Sequence, residues 1–176
     1  MIDLTRYTLP SAVLVGDEVF PVNTSFRVWI TFGQVLEKEG LFWGGVFADE
    51  VPDGDWFDAA MEFYLSENAT PRKRSRQTAK AIDLVLDGDY ITAAFQQAYG
   101  IDLTQGDMHW HRFKALLNGL PESTVLSRIM GYRTYERKKV DREAEMMRLR
   151  EEWTLPDEVS ERQRQEALDA FERWAG

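Results

Sequence analysis

The chain contains no cysteine, and only two of its 176 residues, His109 and His111, are histidines. Without cysteine it can form neither a disulfide nor a zinc–thiolate site, and it has no thiolate nucleophile. It also lacks a Gly-Lys-Ser/Thr phosphate loop, a Gly-x-Ser-x-Gly elbow and a His-Glu-x-x-His motif. No apolar run approaches the roughly 20 residues that span a bilayer. We therefore expect a cytoplasmic, non-membrane protein that is not an enzyme and needs no metal or cofactor.

Acidic side chains outnumber basic ones, 30 to 21, and the two kinds are unevenly distributed along the chain. Residues 1–69 carry 12 acidic and 3 basic side chains, whereas residues 70–80 carry 5 basic side chains and no acidic ones. The net charge of -9 argues against a nucleic-acid partner, because binding to DNA requires a basic face that releases counterions.

The basic run lies within residues 66–80, which have almost no apolar side chains and which we expect to form an exposed loop. Its basic members are Arg72, Lys73, Arg74, Arg76 and Lys80. One interpretation is a solvated loop that keeps the protein soluble. The other is a docking patch for an acidic partner, or for nucleic acid bound weakly and in a salt-sensitive way. The acidic first 69 residues of the chain could themselves be the partner. We favour the solvated loop.

The spacing of apolar residues predicts a mainly α fold, a single domain over residues 1–176 with about six to seven helices. Residues 1–22 are the exception, because two short apolar runs flank the turn sequence Gly-Asp-Glu and predict a β-hairpin. The expected caps or first-turn residues of the helices are, in chain order, Asn23, Thr24 or Ser25, then Asp55, then Asp87 or Asp89, then Asp107 and Pro121. The expected helix stops include Gly40, Gly100 and Gly119.

Two further helices are expected near the end of the chain. The first covers residues 135–153 and is dense in charge, and the second covers residues 156–176. The second helix carries Leu168, Phe171 and Trp174 on one side. An apolar face of this kind must be buried, either in the core of the protein or against a partner. We favour docking on the body of the protein, and a detachable helix that binds a partner is the alternative.

His109 and His111 flank Trp110 in a stretch whose apolar residues have helical spacing. Two positions on a helix differ by about 200°, so we expect the two side chains to point to nearly opposite faces. They could not then hold one metal ion, which needs a spacing of three or four residues. We expect His109, which shares a strip with Phe113, to be buried and hydrogen-bonded, and His111, near Lys114, to be solvated.

Two Asp-Gly-Asp sequences, at residues 53–55 and 87–89, are the other candidates for metal binding. Neither continues into the twelve-residue pattern of an EF-hand, so helix caps and turns explain them better. Sequence alone does not select an acid–base pair among 30 carboxylates. We therefore expect no catalytic residue and no metal ligand.

The stretch from residue 83 to residue 133 combines an aromatic helix "YIxAAFxQxYGIDL" with "HWxxFxALLxGL" and an "IMxYR" ending. In this chain the motif residues are Tyr90, Ile91, Ala93, Ala94, Phe95, Gln97, Tyr99, Gly100, Ile101, Asp102, Leu103, His109, Trp110, Phe113, Ala115, Leu116, Leu117, Gly119, Leu120, Ile129, Met130, Tyr132 and Arg133. This pattern resembles the signature of a siphophage family, the bacteriophage gene-product-fifteen family. The similarity covers most of residues 20–150 and is weaker in the basic loop of residues 66–80 and in the C-terminal helix.

Members of that family are typically encoded among tail genes, between the major tail protein and the tape measure protein. The resemblance therefore implies a non-enzymatic tail morphogenesis factor, a tail assembly chaperone that keeps the tape measure protein soluble in the host cytoplasm. Its expected partners are the tape measure protein or other tail proteins, bound through amphipathic helices, and homo-oligomerisation stays open. The alternative is a structural tail component retained in the virion. A small metal-dependent nuclease is disfavoured, because diverging histidines and scattered acids form no site.

Overall fold

The computed structural model describes residues 8–39, 44–65, 80–137 and 142–155, and it confirms the prediction of a mainly α protein with an N-terminal β-hairpin. The described residues form two strands and six α-helices: β1 (Ala12–Val15), β2 (Glu18–Pro21), α1 (Phe26–Glu39), α2 (Phe57–Leu65), α3 (Gly88–Tyr99), α4 (Trp110–Asn118), α5 (Val125–Arg133) and α6 (Glu143–Trp153). No helix in these ranges is long and apolar enough to cross a membrane.

The described residues divide into two compact units. The first unit contains everything described before residue 66 together with residues 84–127. The second contains residues 80–83 and everything described after residue 127. A single domain over residues 1–176 stays a prediction.

β1 and β2 pair as an antiparallel hairpin in which Leu14 lies opposite Val19. The turn between them places Gly16 in the left-handed region, with φ at 62°, which glycine adopts without the steric cost of a Cβ. Because side chains alternate along a strand, Val13 lies in the core while Leu14 is 61% and Val19 is 69% exposed. The predicted hairpin is confirmed, and its outer face carries two apolar side chains.

α1 begins at Phe26, directly after Ser25, one of the three residues predicted to cap it. The Ser25 hydroxyl accepts a hydrogen bond from the Arg27 amide at 3.3 Å and so satisfies one of the free donors of the first turn. The helix ends at Glu39, and the predicted stop, Gly40, lies outside the described residues.

The buried face of α1 is aromatic and packs against α2. Trp29 stacks on Phe63 with ring centroids 4.6 Å apart, and Phe32 meets the Tyr64 ring edge-on at 5.5 Å. Phe32 is fully buried. At Gly33 an added Cβ would collide with the Tyr64 hydroxyl, because the Tyr64 side chain fills the space beside this glycine.

α2 begins one residue later than its predicted cap implies. The Trp56 carbonyl accepts the first helical hydrogen bond, from the Ala60 amide at 3.0 Å, so Trp56 occupies the capping position. Asp55 lies inside a tight turn in which the Trp56 amide donates to the Gly54 carbonyl at 3.2 Å. The prediction that Asp55 caps α2 is therefore wrong by one position.

α3 is bounded as its sequence predicts. Asp87, one of the two predicted caps, precedes the helix, although its side chain makes no capping hydrogen bond. At the other end Gly100 is left-handed, with φ at 66°, and its amide donates to the Gln96 carbonyl at 3.0 Å. This left-handed glycine stop is a local property, so sequence alone is enough to predict it.

The core of the first unit is centred on Phe113 of α4, which is 1% exposed. Its ring stacks on Phe26 of α1 at 4.8 Å and on Phe95 of α3 at 5.3 Å. The start of α4 is also tied to the start of α1 through the backbone, because the Trp110 amide donates to the Thr24 carbonyl at 2.7 Å. These contacts fix three helices of the first unit around one aromatic stack.

α5 begins at Val125 rather than near Pro121, so the prediction that Pro121 lies in its first turn is wrong. Thr124 occupies the capping position, and its hydroxyl accepts a hydrogen bond from the Ser127 amide at 3.2 Å. Thr124 is 1% exposed. The helix starts after Thr124 rather than at Pro121 because the threonine offers a side-chain acceptor for the free amides of the first turn.

In the second unit, Arg133 at the end of α5 is 6% exposed. Its guanidinium donates to the Trp153 carbonyl at 2.7 Å and to the Ala81 carbonyl at 3.2 Å, and so joins three segments of this unit. The helix predicted over residues 135–153 starts only at Glu143. Tyr135 is not helical, because its amide closes a turn onto the Tyr132 carbonyl at 3.2 Å.

Candidate functional site

His109 lies immediately before α4 and forms its N-terminal cap. Its backbone is extended (φ −60°, ψ 134°), and its ring atom Nδ1 accepts a hydrogen bond from the His111 amide at 3.1 Å. The prediction that Asp107 caps this helix is therefore wrong. The Asp107 carboxylate instead accepts hydrogen bonds from the Ser25 hydroxyl at 2.8 Å and the Arg27 guanidinium at 3.2 Å, which hold it away from the helix start.

The two histidine rings lie close together, with centroids 5.1 Å apart, so the prediction that they diverge is wrong. That prediction treats both residues as helical, whereas only His111 belongs to α4 and His109 is extended. The predicted exposures are also reversed. His111 is 5% exposed and lies in the core, whereas His109 is partly exposed.

Hydrogen bonds fix the tautomer of both rings. His109 Nδ1 accepts a bond from an amide, so its Nε2 carries the proton and donates to the Pro10 carbonyl at 2.7 Å. His111 Nε2 lies 2.9 Å from the Phe63 carbonyl, which can only accept, so this nitrogen carries a proton as well. His111 Nδ1 is buried and has no hydrogen-bond partner. The neutral ring therefore tolerates its site better than a protonated ring would.

Burial lowers the pKa of both histidines, and it lowers the pKa of His111 to about 4. Loss of hydration of the charged ring is the largest cause at both positions, and the positive charges of His109 and Lys114 add repulsion at His111. Both rings are neutral near pH 7. Their chemistry here is structural, because they tie backbone carbonyls of residues 10 and 63 to the start of α4.

Trp110 and Lys114, one turn apart on α4, bind the last carbonyl groups of α2. The Trp110 indole donates to the Tyr64 carbonyl at 2.9 Å, and the Lys114 ammonium donates to the Tyr64 and Leu65 carbonyls at 2.7 and 2.5 Å. A cation is favourable there because the carbonyl end of a helix carries partial negative charge. Burial lowers the pKa of Lys114 to about 8. Sequence reasoning misses this role, because nothing local to α4 indicates that α2 ends against it.

A cleft of about 310 Å³ opens in the first unit between α1, α3 and the loop that follows α3. Its apolar lining consists of Phe26, Ile30, Leu84, Ile91, Leu103 and Phe113. Four of these side chains are buried and form the floor, whereas those of residues 30 and 84 are partly exposed and form walls. Sequence reasoning misses the cleft as well, because its lining comes from four separate stretches of the chain.

Arg27 forms one rim of the cleft and is held in place by three groups of the first unit. Its guanidinium donates to the Leu103 carbonyl at 2.6 Å and to the Asp107 carboxylate at 3.2 Å, and it lies 4.6 Å from the centre of the Phe26 ring. The ion pair with Asp107 neutralises the arginine locally. The rim at this side is therefore fixed in shape and contributes little net charge.

The residues predicted to bind a partner lie outside the described residues. They are Arg72, Lys73, Arg74 and Arg76 of the basic loop, and Leu168, Phe171 and Trp174 of the C-terminal helix. Their roles stay predictions. Lys80, at the end of the basic run, is described and forms an ion pair with Asp83 at 3.1 Å. Within the part of the chain that the structure describes, no group of three histidines or carboxylates could hold a metal ion.

A family model described as Bacteriophage Gp15 protein matches residues 49–167, which is more than half of the chain. The chain belongs to this family. No curated protein and no solved structure matches the chain. The resemblance carried by residues 83–133 is thus confirmed, while the expected similarity of α1 precedes the matched range. At the other end the match continues into the predicted C-terminal helix and stops before Leu168.

The residues of the Gp15 signature hold the fold together. Phe95, Trp110 and Phe113 are each at most 3% exposed. The Asp102 carboxylate accepts hydrogen bonds from the Thr104 amide at 2.8 Å and from the Thr104 hydroxyl at 2.6 Å. These bonds lower the pKa of the Asp102 carboxyl, so it stays ionised. Signature residues at these positions stabilise the fold.

Proposed function

We propose that this Gp15 family protein is a non-enzymatic tail morphogenesis factor, a tail assembly chaperone that keeps the tape measure protein soluble in the host cytoplasm. The observation that carries the proposal is the family match over residues 49–167, which assigns the chain to a phage protein family. The tail-gene position typical of the family then points to the tape measure protein as the partner. Binding is the activity, and no bond of the partner is made or broken.

The histidine and lysine side chains at the start of α4, which could act as a general acid or base, are already hydrogen-bonded to the protein's own backbone, and this supports a binding role. His109 and His111 bind backbone carbonyls and cap α4, and Lys114 caps the end of α2. A general base must reach the proton that it removes, and these groups are directed at the protein's own backbone. Their positions fit a scaffold better than a reaction centre.

An accessible apolar surface also supports a binding role. The cleft beside α1 offers the aliphatic walls formed by Ile30 and Leu84, and the hairpin exposes Leu14 and Val19. A chaperone for a long helical protein must cover apolar stripes that would otherwise associate with one another. The excess of carboxylates keeps such a complex in solution, because like-charged complexes repel one another.

The test is co-expression with the tape measure protein from the same gene cluster, scored as the soluble fraction of the tape measure protein. We expect soluble tape measure protein only when this chain is present, co-purification of the two, and absence of this chain from purified virions. An unrelated acidic protein of similar size serves as the control. If the two proteins do not associate and this chain appears in purified tails, the alternative of a structural tail component replaces the chaperone.

A further inference from the structure

The cleft beside α1 has an apolar floor and an acidic surround. Gly88 and Thr104 form part of its edge, and each has an exposed carboxylate close by in sequence. Asp89 follows Gly88 in the first turn of α3, and Asp102 precedes Thr104 in the loop after α3. Asp102, which accepts a hydrogen bond from the Thr104 hydroxyl at 2.6 Å, therefore places a negative charge at the edge of the cleft, and Asp89 is the chain neighbour of a second lining residue.

Among the described residues that line the cleft, the one basic side chain does not offset the acidic charge. Arg27 is paired with Asp107 at 3.2 Å, and its second bond is to a backbone carbonyl. Asp102 is held ionised by the two hydrogen bonds from Thr104. With Arg27 neutralised by Asp107, the Asp102 carboxylate bound to Thr104 gives the rim a net negative charge, which favours a cationic occupant.

We infer that the cleft between α1, α3 and the following loop is a docking site for a basic amphipathic helix of a protein partner. The helix inserts one or two bulky apolar side chains between Ile30, Leu84 and Ile91, while its lysine or arginine side chains face Asp89 and Asp102. This inference deepens the proposed function and rests on it, because the tape measure protein is then the molecule that carries the helix.

The geometry of Gly88 allows the cleft to be blocked without disturbing the fold. Gly88 lines the cleft, and a Cβ placed on it meets no atom within 4 Å. Gly88→Phe therefore fills the opening with a ring, and replacing a helical glycine does not weaken α3. Gly131 in α5 is an equally open helical glycine outside the cleft, so Gly131→Phe is the matched control.

The charged rim has matched variants as well. Asp102→Asn keeps the side-chain oxygen that accepts the bonds from Thr104 and removes only the charge. Asp89→Asn removes the carboxylate from the first turn of α3. Asp58→Asn removes an equivalent carboxylate from the first turn of α2, which does not line the cleft, and it serves as the control.

The experiment measures binding of two synthetic helical peptides to the full chain by fluorescence anisotropy. Each peptide has about 18 residues, long enough to form an isolated helix, with one leucine and tryptophan stripe. The polar positions are lysine in one peptide and glutamate in the other. We expect the lysine peptide to bind at least tenfold more tightly than the glutamate peptide. Its affinity should fall when the salt is raised well above about 0.1 M, where charges are screened beyond about 10 Å.

The variants then locate the binding site. Gly88→Phe should weaken binding of the lysine peptide more than tenfold, whereas Gly131→Phe should bind it as the unmodified chain does. The double variant Asp89→Asn with Asp102→Asn should weaken it severalfold, since each exposed ion pair contributes a factor of about two to five, and Asp58→Asn should not. Thermal unfolding of each variant shows that it is folded.

Equal affinity for the two peptides would overturn the inference, and so would unweakened binding of the lysine peptide by folded Gly88→Phe. A third result would overturn it as well: neither peptide binds, and the unmodified chain self-associates through a contact that Gly88→Phe abolishes. The co-expression assay separates this inference from the proposed function. If Gly88→Phe solubilises the tape measure protein as well as the unmodified chain does, the cleft is not the site although the chaperone role stands. If the cleft binds the lysine peptide but the unmodified chain leaves the tape measure protein insoluble, the chaperone role is wrong.

Discussion

The buried histidine His111 should make the first unit lose stability as the pH falls from 7 to 5. Its pKa is about 4 in the folded protein against an ordinary value of 6.5, because burial disfavours the charged ring. A group whose folded pKa is lowered binds fewer protons in the folded state. Its contribution is complete above pH 6.5 and is lost as the pH falls towards 4.

The magnitude follows from the two pKa values of His111. At pH 5 the ring is protonated in the unfolded chain and still neutral in the folded one, which costs about 2 kcal/mol relative to pH 7. The loss approaches about 3 kcal/mol below pH 4, where both states are protonated. A change of about 2 kcal/mol is a substantial part of the stability of a small protein.

His111→Gln isolates this effect. A glutamine amide can donate to the Phe63 carbonyl as the His111 Nε2 does, but it does not titrate. Urea unfolding followed by tryptophan fluorescence at pH 7 and pH 5 gives the free energy of unfolding of each protein. The unmodified chain should lose about 2 kcal/mol more than His111→Gln over this interval.

The control is His109→Asn, which removes the other histidine. Asparagine is a good helix cap, so the N-cap position of α4 stays occupied by a capping side chain. It should retain most of the dependence on pH. If the unmodified chain and His111→Gln lose stability equally between pH 7 and pH 5, His111 does not titrate with a lowered pKa and the argument from burial is refuted.

Four further variants test the packing. Phe113→Ala should lower the free energy of unfolding by about 3–5 kcal/mol, measured in urea, because it removes a ring that is 1% exposed from the central stack. Gly33→Ala should cost about 1–3 kcal/mol, since its methyl group meets the Tyr64 hydroxyl, whereas Gly131→Ala in an open helical site should raise the melting temperature slightly. Arg133→Met should cost about 3 kcal/mol, because two partly buried carbonyl groups lose their charged donor, and faster hydrogen exchange in α6 would report that loss.

Features set by neighbouring residues are predictable from the sequence. Gly100 ends α3 because a left-handed turn after a helix needs no partner elsewhere, and the hairpin follows from two short apolar runs around a turn. The aromatic face of α1, which includes Phe32, also follows from the spacing of residues within the helix itself. Such local features are sufficient to predict the fold class and most of the helices.

Features set by distant residues are not predictable in this way. Asp107 is a typical capping residue and lies just before α4, yet Ser25 and Arg27, more than 75 residues away, bind its carboxylate. His109 occupies the N-cap position instead. That exchange makes His109 extended, brings its ring beside His111 and reverses their expected exposures. The cleft depends on the same long-range contacts, because Arg27 joins α1 to the loop after α3.

The soluble fraction of the tape measure protein, measured with and without this Gp15 family chain in the same cells, tests the central claim most directly. The account predicts that the tape measure protein is soluble and bound to the chain when the two are co-expressed, and insoluble when it is expressed alone. Insoluble tape measure protein in both cultures, with this chain soluble and unbound, would contradict the chaperone role.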